Sequence, residues 1–298
     1  MTPIRLFVNP KAGRGAALKA LPHIRRALSA AGFEIDVVCS GKAGDIEAAI
    51  YAQSLRQPDE HTVVAGGDGT FHEAVNGLLR AGGSRLGLVP VGTGNDFAKS
   101  VGIAADPGKA AEALAERLVT GRTLGEFDAG TCNGRFFHNG AGIGLDARVA
   151  RIAAGIRLPI GDLVYAWGIL RCLIHGIATP SMTIRVDGDV IREGPATLTN
   201  LANGRWVGSR FLIAPDADPC DGMLDLVVAD AVNRRRVMTL LPMLLQGRHV
   251  RAPEVSTSRV VALTVDCEAP VIAQLDGEVQ LPASRFDIRC LAKALHLL

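Results

Sequence analysis

At 298 residues, 48% of them hydrophobic and 21% charged, the chain can bury a sizeable core, and its length predicts two domains. A net charge of +2 argues against a nucleic-acid partner held by bulk charge, so any basic surface has to come from local clustering. Six scattered cysteines without a C-x-x-C pair argue against a zinc or redox motif and read as reduced cytosolic thiols.

The segment Met1 to Gly15 lacks the charged and apolar regions of a secretory leader, and its run Ile4 to Val8 reads as a first buried strand. Further strands are predicted at Glu34 to Cys39, His61 to Ala65 and Leu86 to Val91. Helices are predicted at Ala16 to Ala31, Gly44 to Ala52, Thr70 to Arg80 and Pro107 to Val119. This alternation predicts β-α units around a mostly parallel sheet, with ligand loops at the strand ends. After Asp128 the texture changes to extended runs with turn signals: Met182 to Val186, Asp187-Gly188, Val190 to Arg192, Met223 to Val228, Val260 to Val265 and Val271 to Leu275. A β-rich second domain follows, crossed or covered by one helix over Leu158 to Ile177. There Leu163, Val164, Trp167, Leu170, Ile174 and Ile177 recur at helical spacing, and Arg171 and His175 interrupt the apolar run. No window holds the roughly 18 apolar residues of a membrane span.

Three loops carry candidate chemistry. Gly66-Gly67-Asp68-Gly69-Thr70 lies between a buried strand and an amphipathic helix, where glycines let the backbone approach a phosphate and the helix start offers N–H donors. Asp68 would repel that phosphate, so it implies Mg²⁺ or a nucleotide hydroxyl. The second loop, Pro90 to Lys99, offers Thr93 as a hydroxyl donor, with Asn95 and Asp96 either capping the next helix or reaching the reacting centre. The third, Asn9-Pro10-Lys11-Ala12-Gly13-Arg14-Gly15, adds two cations suited to phosphate.

These loops resemble the diacylglycerol kinase catalytic-domain family, which includes bacterial lipid kinases and sphingosine kinases. Phe137 to Ala147, Asp218-Pro219-Cys220-Asp221-Gly222-Met223-Leu224-Asp225 and Asp276-Gly277-Glu278 extend the resemblance over nearly the whole chain. It implies an N-terminal Rossmann-like nucleotide-binding α/β domain, residues 1–130, and a C-terminal β-sandwich-like lipid-substrate domain, residues 131–285. The tail 286–298, with Leu291 to Leu298 at its end, would return to the first domain. It further implies ATP bound by Asn9 to Gly13, with Arg14 beside them, Ser40, Gly66 to His72 (including Phe71) and Thr93. Ser40 stands where relatives often have Thr, and His72 where Asn is common.

By the same resemblance, Glu278 is the proton acceptor and Asp276 its neighbour, positioning Mg²⁺ or the hydroxyl; spacing alone leaves their order open, and a plain hairpin turn is the alternative. Asp68 and Asp96 join them as acidic members of the catalytic set. Asp218, Asp221 and Met223 resemble a structural Mg²⁺ loop, linked by water to Asp128, against the alternative of a metal-free turn. Between Asp230 and Glu254 there is no acidic residue, while Arg234, Arg235, Arg236, Arg248 and Arg251 flank the apolar stretch Val237 to Leu245. That segment suits either an anionic membrane surface or a core helix with a solvated basic end. The expectation is therefore an ATP- and Mg²⁺-dependent lipid kinase, cytoplasmic and peripherally membrane-associated, with a homodimer left open. NAD kinase and a non-catalytic lipid- or nucleotide-binding regulator are the rivals.

Overall fold

The computed structural model describes residues 3–57, 60–156 and 163–298. The chain divides into two compact units, Met1–Asp128 with Lys293–Leu298, and Ala129–Ala292. The start of the helix expected over Leu158 to Ile177 lies partly outside the described residues.

In the first unit, strands β1 (Pro3–Val8), β2 (Glu34–Cys39), β3 (His61–Gly66) and β4 (Arg85–Pro90) pair in parallel in the order β2-β1-β3-β4. Beyond β4, tail residues His296 and Leu297 pair in parallel with Arg85 and Leu86. The strands read as continuous apolar runs because helices cover the sheet, and Ile4, Leu6, Val63, Ala65 and Val89 share a core with Ile24, Leu28 and Leu114 of those helices. The helices are α1 (Ala16–Ala30), α2 (Asp45–Arg56), α3 (Asp68–Arg80), α4 (Asp96–Ser100) and α5 (Pro107–Thr120). The start of α5 combines an Asp106 side-chain cap on the Lys109 N–H at 2.8 Å with Pro107 in the first turn, and Gly121 at φ 68° ends it. The short α4 begins where Asn95 and Asp96 were offered as caps of a next helix; Asn95 holds the N-cap position, without a side-chain bond to the helix start. The strand order reverses direction between β1 and β3, the position where open α/β sheets bind ligands outside their carboxyl ends.

Among the described residues the second unit is built on two large antiparallel sheets, with Trp206–Val207 and Phe211–Leu212 as a separate short pair. β5 (Gly125–Cys132) carries the chain into it, followed by β6 (Arg135–Phe137), β7 (Gly140–Gly144), α6 (Leu145–Ala154) and α7 (Leu163–His175). Next come β8 (Ser181–Val186), β9 (Asp189–Ala202), β10 (Trp206–Val207), β11 (Phe211–Leu212), β12 (Leu224–Asp230) and α8 (Arg234–Leu245). The chain continues through β13 (Val255–Val260), β14 (Ala262–Val271), β15 (Ala273–Leu275), β16 (Glu278–Val279) and β17 (Ala283–Leu297). One sheet runs β16-β15-β7-β9-β12-β13 and the other β9-β8-β14-β17. β9 serves both: residues up to Pro195 pair with β8, and those from Ala196 onward pair with β12. Gly194 at φ 121° and Pro195 mark the passage, just beyond the extended run Val190 to Arg192 noted in the sequence. Inward residues of both sheets, including Phe137, Ile143, Ile184, Leu226, Val265 and Phe286, form one core.

Helix α8 falls on the amphipathic stretch Val237 to Leu245 noted above, and α6 adds a helix that the sequence reading did not place. In α7 the buried side is Gly168 and Cys172, while Trp167, Leu170 and Ile174 are exposed. The apolar stripe at helical spacing therefore faces outward at these three residues, while Gly168 packs against Val149 of α6. Among the described residues no helix is long and apolar enough to cross a membrane.

Candidate active site

In the first unit the three glycine loops leave the ends of β1, β3 and β4 and are fastened to one another. Asn9 Nδ2 donates to Thr70 Oγ1 at 3.2 Å, while its own Oδ1 accepts the Lys11 N–H at 3.0 Å. One amide thereby holds the first loop against the start of α3. Gly67 and Gly92 meet backbone to backbone: a Cβ built on Gly92 would lie 2.4 Å from the Gly67 Cα. Gly13 sits at φ 55°, and a Cβ there would lie 2.1 Å from the Val91 carbonyl oxygen. At these positions glycine is a packing requirement as well as a means of exposing N–H groups. Asn95, at φ 52°, closes the second loop through its side-chain amide, which accepts from the Gly92 N–H and donates to the Gly92 carbonyl, both at 2.9 Å.

Asp68 has a specific place in this arrangement. Its two carboxylate oxygens accept the backbone N–H groups of Asn95 and Asp96, each at 2.7 Å. The negative charge inferred to need a cation is met by donors at the start of α4, so Asp68 ties the β3 loop to the β4 loop. Asp96 is buried and pairs with Lys99 at 3.3 Å.

The remaining nucleotide candidates divide by accessibility. Lys11, Arg14 and Thr93 are exposed, and Asn9, Pro10, Ala12, Gly13, Ser40, Gly67 and Gly69 are partly so. Gly66 and Thr70 are buried beneath them. The Phe71 ring belongs to the core, stacked on Phe97 with centroids 5.5 Å apart. His72 is also buried, within 3.3 Å of the Asn76 amide one turn along α3. For these two residues the backbone, not the side chain, is what a nucleotide can reach.

In the second unit the Asp276-Gly277-Glu278 turn joins β15 to β16. Asp276, at φ 53°, accepts the backbone N–H groups of His138 at 3.1 Å, Asn139 at 2.8 Å and Gly140 at 3.1 Å. His138 Nδ1 lies 2.9 Å from the same carboxylate, and both side chains are 0% exposed. The 138–140 corner is itself pinned, since Asn203 Nδ2 donates to the His138 carbonyl at 2.7 Å and Asn139 Nδ2 to the Trp206 carbonyl at 2.8 Å. Glu278, two residues on, is exposed. Chemically, Asp276 shapes the turn and Glu278 is available to take a proton.

Two residues that motif reading leaves unassigned complete this region. Asp146 accepts from Asn200 Nδ2 at 3.1 Å and Gln274 Nε2 at 3.3 Å, and burial pushes its pKa upward against the effect of those bonds. Gln274 in turn accepts the Gly277 N–H at 2.6 Å, connecting Asp146 to the Asp-Gly-Glu turn. The Gly-Ile-Gly-Leu-Asp pattern was the only available signal, and it does not disclose a partner more than a hundred residues away.

At the candidate metal turn, Asp218 Oδ1 accepts the Cys220 N–H at 3.0 Å and Asp221 Oδ1 the Met223 N–H at 2.9 Å. The other Asp221 oxygen is ion-paired with Arg259. Asp225 has a raised pKa, from burial and then from the charges of Asp216 and Asp218. Crowded hard oxygens of this kind fit a divalent cation, and Arg259 answers part of the same charge. Asp128, fully buried in the first unit, accepts the Lys293 N–H at 2.7 Å and so anchors the chain's tail.

Comparison with known proteins accounts for both units. The family model for the diacylglycerol kinase catalytic domain matches residues 3–127, and that for the YegS C-terminal NAD kinase beta sandwich-like domain matches residues 140–298. A Mycobacterium tuberculosis protein named diacylglycerol kinase is 31% identical over 300 residues, spanning 99% of this chain and 94% of its own. Its Bacillus subtilis counterpart is 30% identical over 281 residues, spanning 93% and 90%. A diacylglycerol kinase structure from Bacillus anthracis superposes with a TM-score of 0.77 at 24% identity, covering 99% of this chain and 96% of that one. An NAD kinase from Archaeoglobus fulgidus in complex with ATP shares the fold more distantly, with a TM-score of 0.55 at 13% identity over 98% of this chain and 92% of its own. Since this kinship runs through both units and includes relatives matched over almost their full length, the chain belongs to the diacylglycerol kinase family and is a kinase.

Proposed function

We propose that the chain transfers the γ-phosphoryl group of ATP directly to the hydroxyl of a lipid, diacylglycerol or one of related shape, with Glu278 as the base. The observation that carries this reading is the division of labour in the Asp-Gly-Glu turn. Asp276 is held by three backbone N–H groups, whereas Glu278 is exposed beside it. A carboxylate engaged by buried donors is a poor proton acceptor, and a solvent-facing one in a fixed turn is a suitable one. The exposed stripe of Trp167, Leu170 and Ile174 favours an acceptor with acyl chains that cover it.

In this mechanism Asn9 to Gly13, Ser40, Gly66 to His72 and Thr93 hold the nucleotide, and Lys11 and Arg14 offset phosphate charge. Glu278 takes the proton of the lipid hydroxyl as its oxygen bonds to the γ-phosphorus. The bond from that phosphorus to the β–γ bridging oxygen breaks, and ADP leaves with the electron pair. Positioning and electrostatics dominate such a transfer, which suits loops fastened by Asn9, Asp68 and Asn95. Asp221, with the Asp218 and Met223 carbonyls, would hold magnesium in the second unit, where the ion would supply charge compensation and rigidity; bound with the nucleotide, it would neutralise phosphate oxygens.

The test is one labelling experiment. Purified protein receives [γ-³²P]ATP and magnesium with, in parallel, diacylglycerol, sphingosine, a lipid extract or NAD. Label in a lipid phosphate supports the reading, and the labelled species names the acceptor. Label in NADP alone, or ATP binding without transfer to any acceptor, refutes it.

A further inference from the structure

Helix α8 has two apolar faces where a surface helix ordinarily has one. Its inner face is conventional: Val237 is buried, and Leu244 packs with Ile213, Ala214 and Val227. Met238, Pro242 and Leu245 recur at i, i+4 and i+7 about 100° round the helix from that buried face, and all three are exposed, Met238 at 62% and Leu245 at 47%. Arg234 continues this outer stripe one turn earlier, with Arg235 beside it, and Arg248 and Arg251 follow in the next turn of chain; all four arginines are exposed. The acids at the two ends of the segment are already compensated, Asp230 by Arg192 and Glu254 by Arg236. Asn233 caps the helix by accepting the Arg236 N–H at 3.0 Å, so the face is presented on an ordered element.

We propose that this outer face of α8, with Arg248 and Arg251, docks the enzyme on a bilayer rich in anionic lipid. The proposal rests on the reading of the acceptor as a lipid and adds the surface by which a protein with no spanning helix among its described residues reaches it. Charge complementarity selects the occupant. Apolar side chains flanked by exposed arginines suit an interface of acyl chains beneath negative headgroups. A second copy is disfavoured, because a two-fold contact on this patch would set the same arginines against one another.

The test is vesicle flotation of the full chain on phosphatidylcholine alone and on phosphatidylcholine with phosphatidylglycerol. Wild type is compared with Arg234→Gln/Arg235→Gln and Met238→Ser/Leu245→Ser. Wild type should float only with the anionic vesicles. The arginine variant should partition about 25-fold more weakly, since each arginine near an anionic surface contributes a factor of about five. The apolar variant should also float less, and both should phosphorylate lipid in neutral detergent micelles at the wild-type rate. Wild type that does not bind anionic vesicles, or variants that bind undiminished, would overturn the proposal. So would a wild-type dimer in sedimentation velocity that Met238→Ser/Leu245→Ser dissolves, for then a second copy covers the face. Flotation that depends on Arg234 and Arg235, combined with no transfer to lipid in micelles, would support the docking face and refute the lipid-kinase reading.

Discussion

Replacing Asp276 by alanine should unfold the second unit more readily than any single change at the exposed carboxylates. The side chain accepts three backbone N–H groups at 2.8–3.1 Å and lies 2.9 Å from a fully buried His138 ring. Hydrogen bonds to a charged group contribute about 1.5–3 kcal/mol each and do not add linearly; removing one partner of a buried charged cluster costs about 3–5 kcal/mol. Alanine at the left-handed φ of 53° adds roughly 1 kcal/mol. The total, about 4–6 kcal/mol, should lower the melting temperature by roughly 8–24 °C, taking ~2–4 °C per kcal/mol. Asp276→Asn, which tolerates the backbone but loses the charge, should fall between. Glu278→Gln should melt like wild type, because its side chain is exposed. Urea and thermal melts followed by circular dichroism measure all three, and an Asp276→Ala protein with wild-type melting would refute the bracing role assigned to this carboxylate.

His249 is buried with a lowered pKa, caused by burial and partly opposed by its 3.0 Å bond to the Ile213 carbonyl. Its folded pKa lies below its unfolded value, so its stability contribution is complete above about pH 6.5 and is lost as pH falls through the folded pKa; a His249→Gln protein should lack that part of the slope in urea melts. Cys39 and Cys220 are exposed and should react with a thiol reagent in the native state. Burial pushes Cys132 up to about 12 and Cys267 to about 11, so mass mapping should find these two unlabelled until the protein unfolds. Magnesium should raise the melting temperature of wild type and not of Asp221→Ala, and an equal shift in both would remove the metal from the Asp218–Met223 turn.

The first unit was largely legible in the sequence because its buried strands are apolar runs of ordinary length, each ended by a glycine loop. The same glycines concealed a second role, since the contact of Gly67 with Gly92 joins loops that no local pattern relates. Asp68 was assigned to the catalytic set from its place in a phosphate-cradling turn, and Asp128 and Asp276 were assigned to metal and catalysis from the family resemblance. Each accepts backbone N–H groups from distant segments, a use that leaves no periodic trace. β9 was only partly legible because Gly194 and Pro195, punctuation in most contexts, let one strand serve two sheets. In α7 the periodicity was legible and its direction was left open: spacing identifies a face, but only packing shows that Gly168 lies inward and Trp167 outward.

The central claim, that Asp276 braces the turn while Glu278 removes the proton, is tested most directly by the rate of γ-phosphoryl transfer from ATP to diacylglycerol in detergent micelles. Wild type and Glu278→Gln are compared at equal folded fraction. The account predicts a Glu278→Gln protein with wild-type melting and ATP affinity whose kcat falls by roughly 10²–10⁴-fold, the usual contribution of a general base. Transfer by Glu278→Gln at the wild-type rate would contradict it.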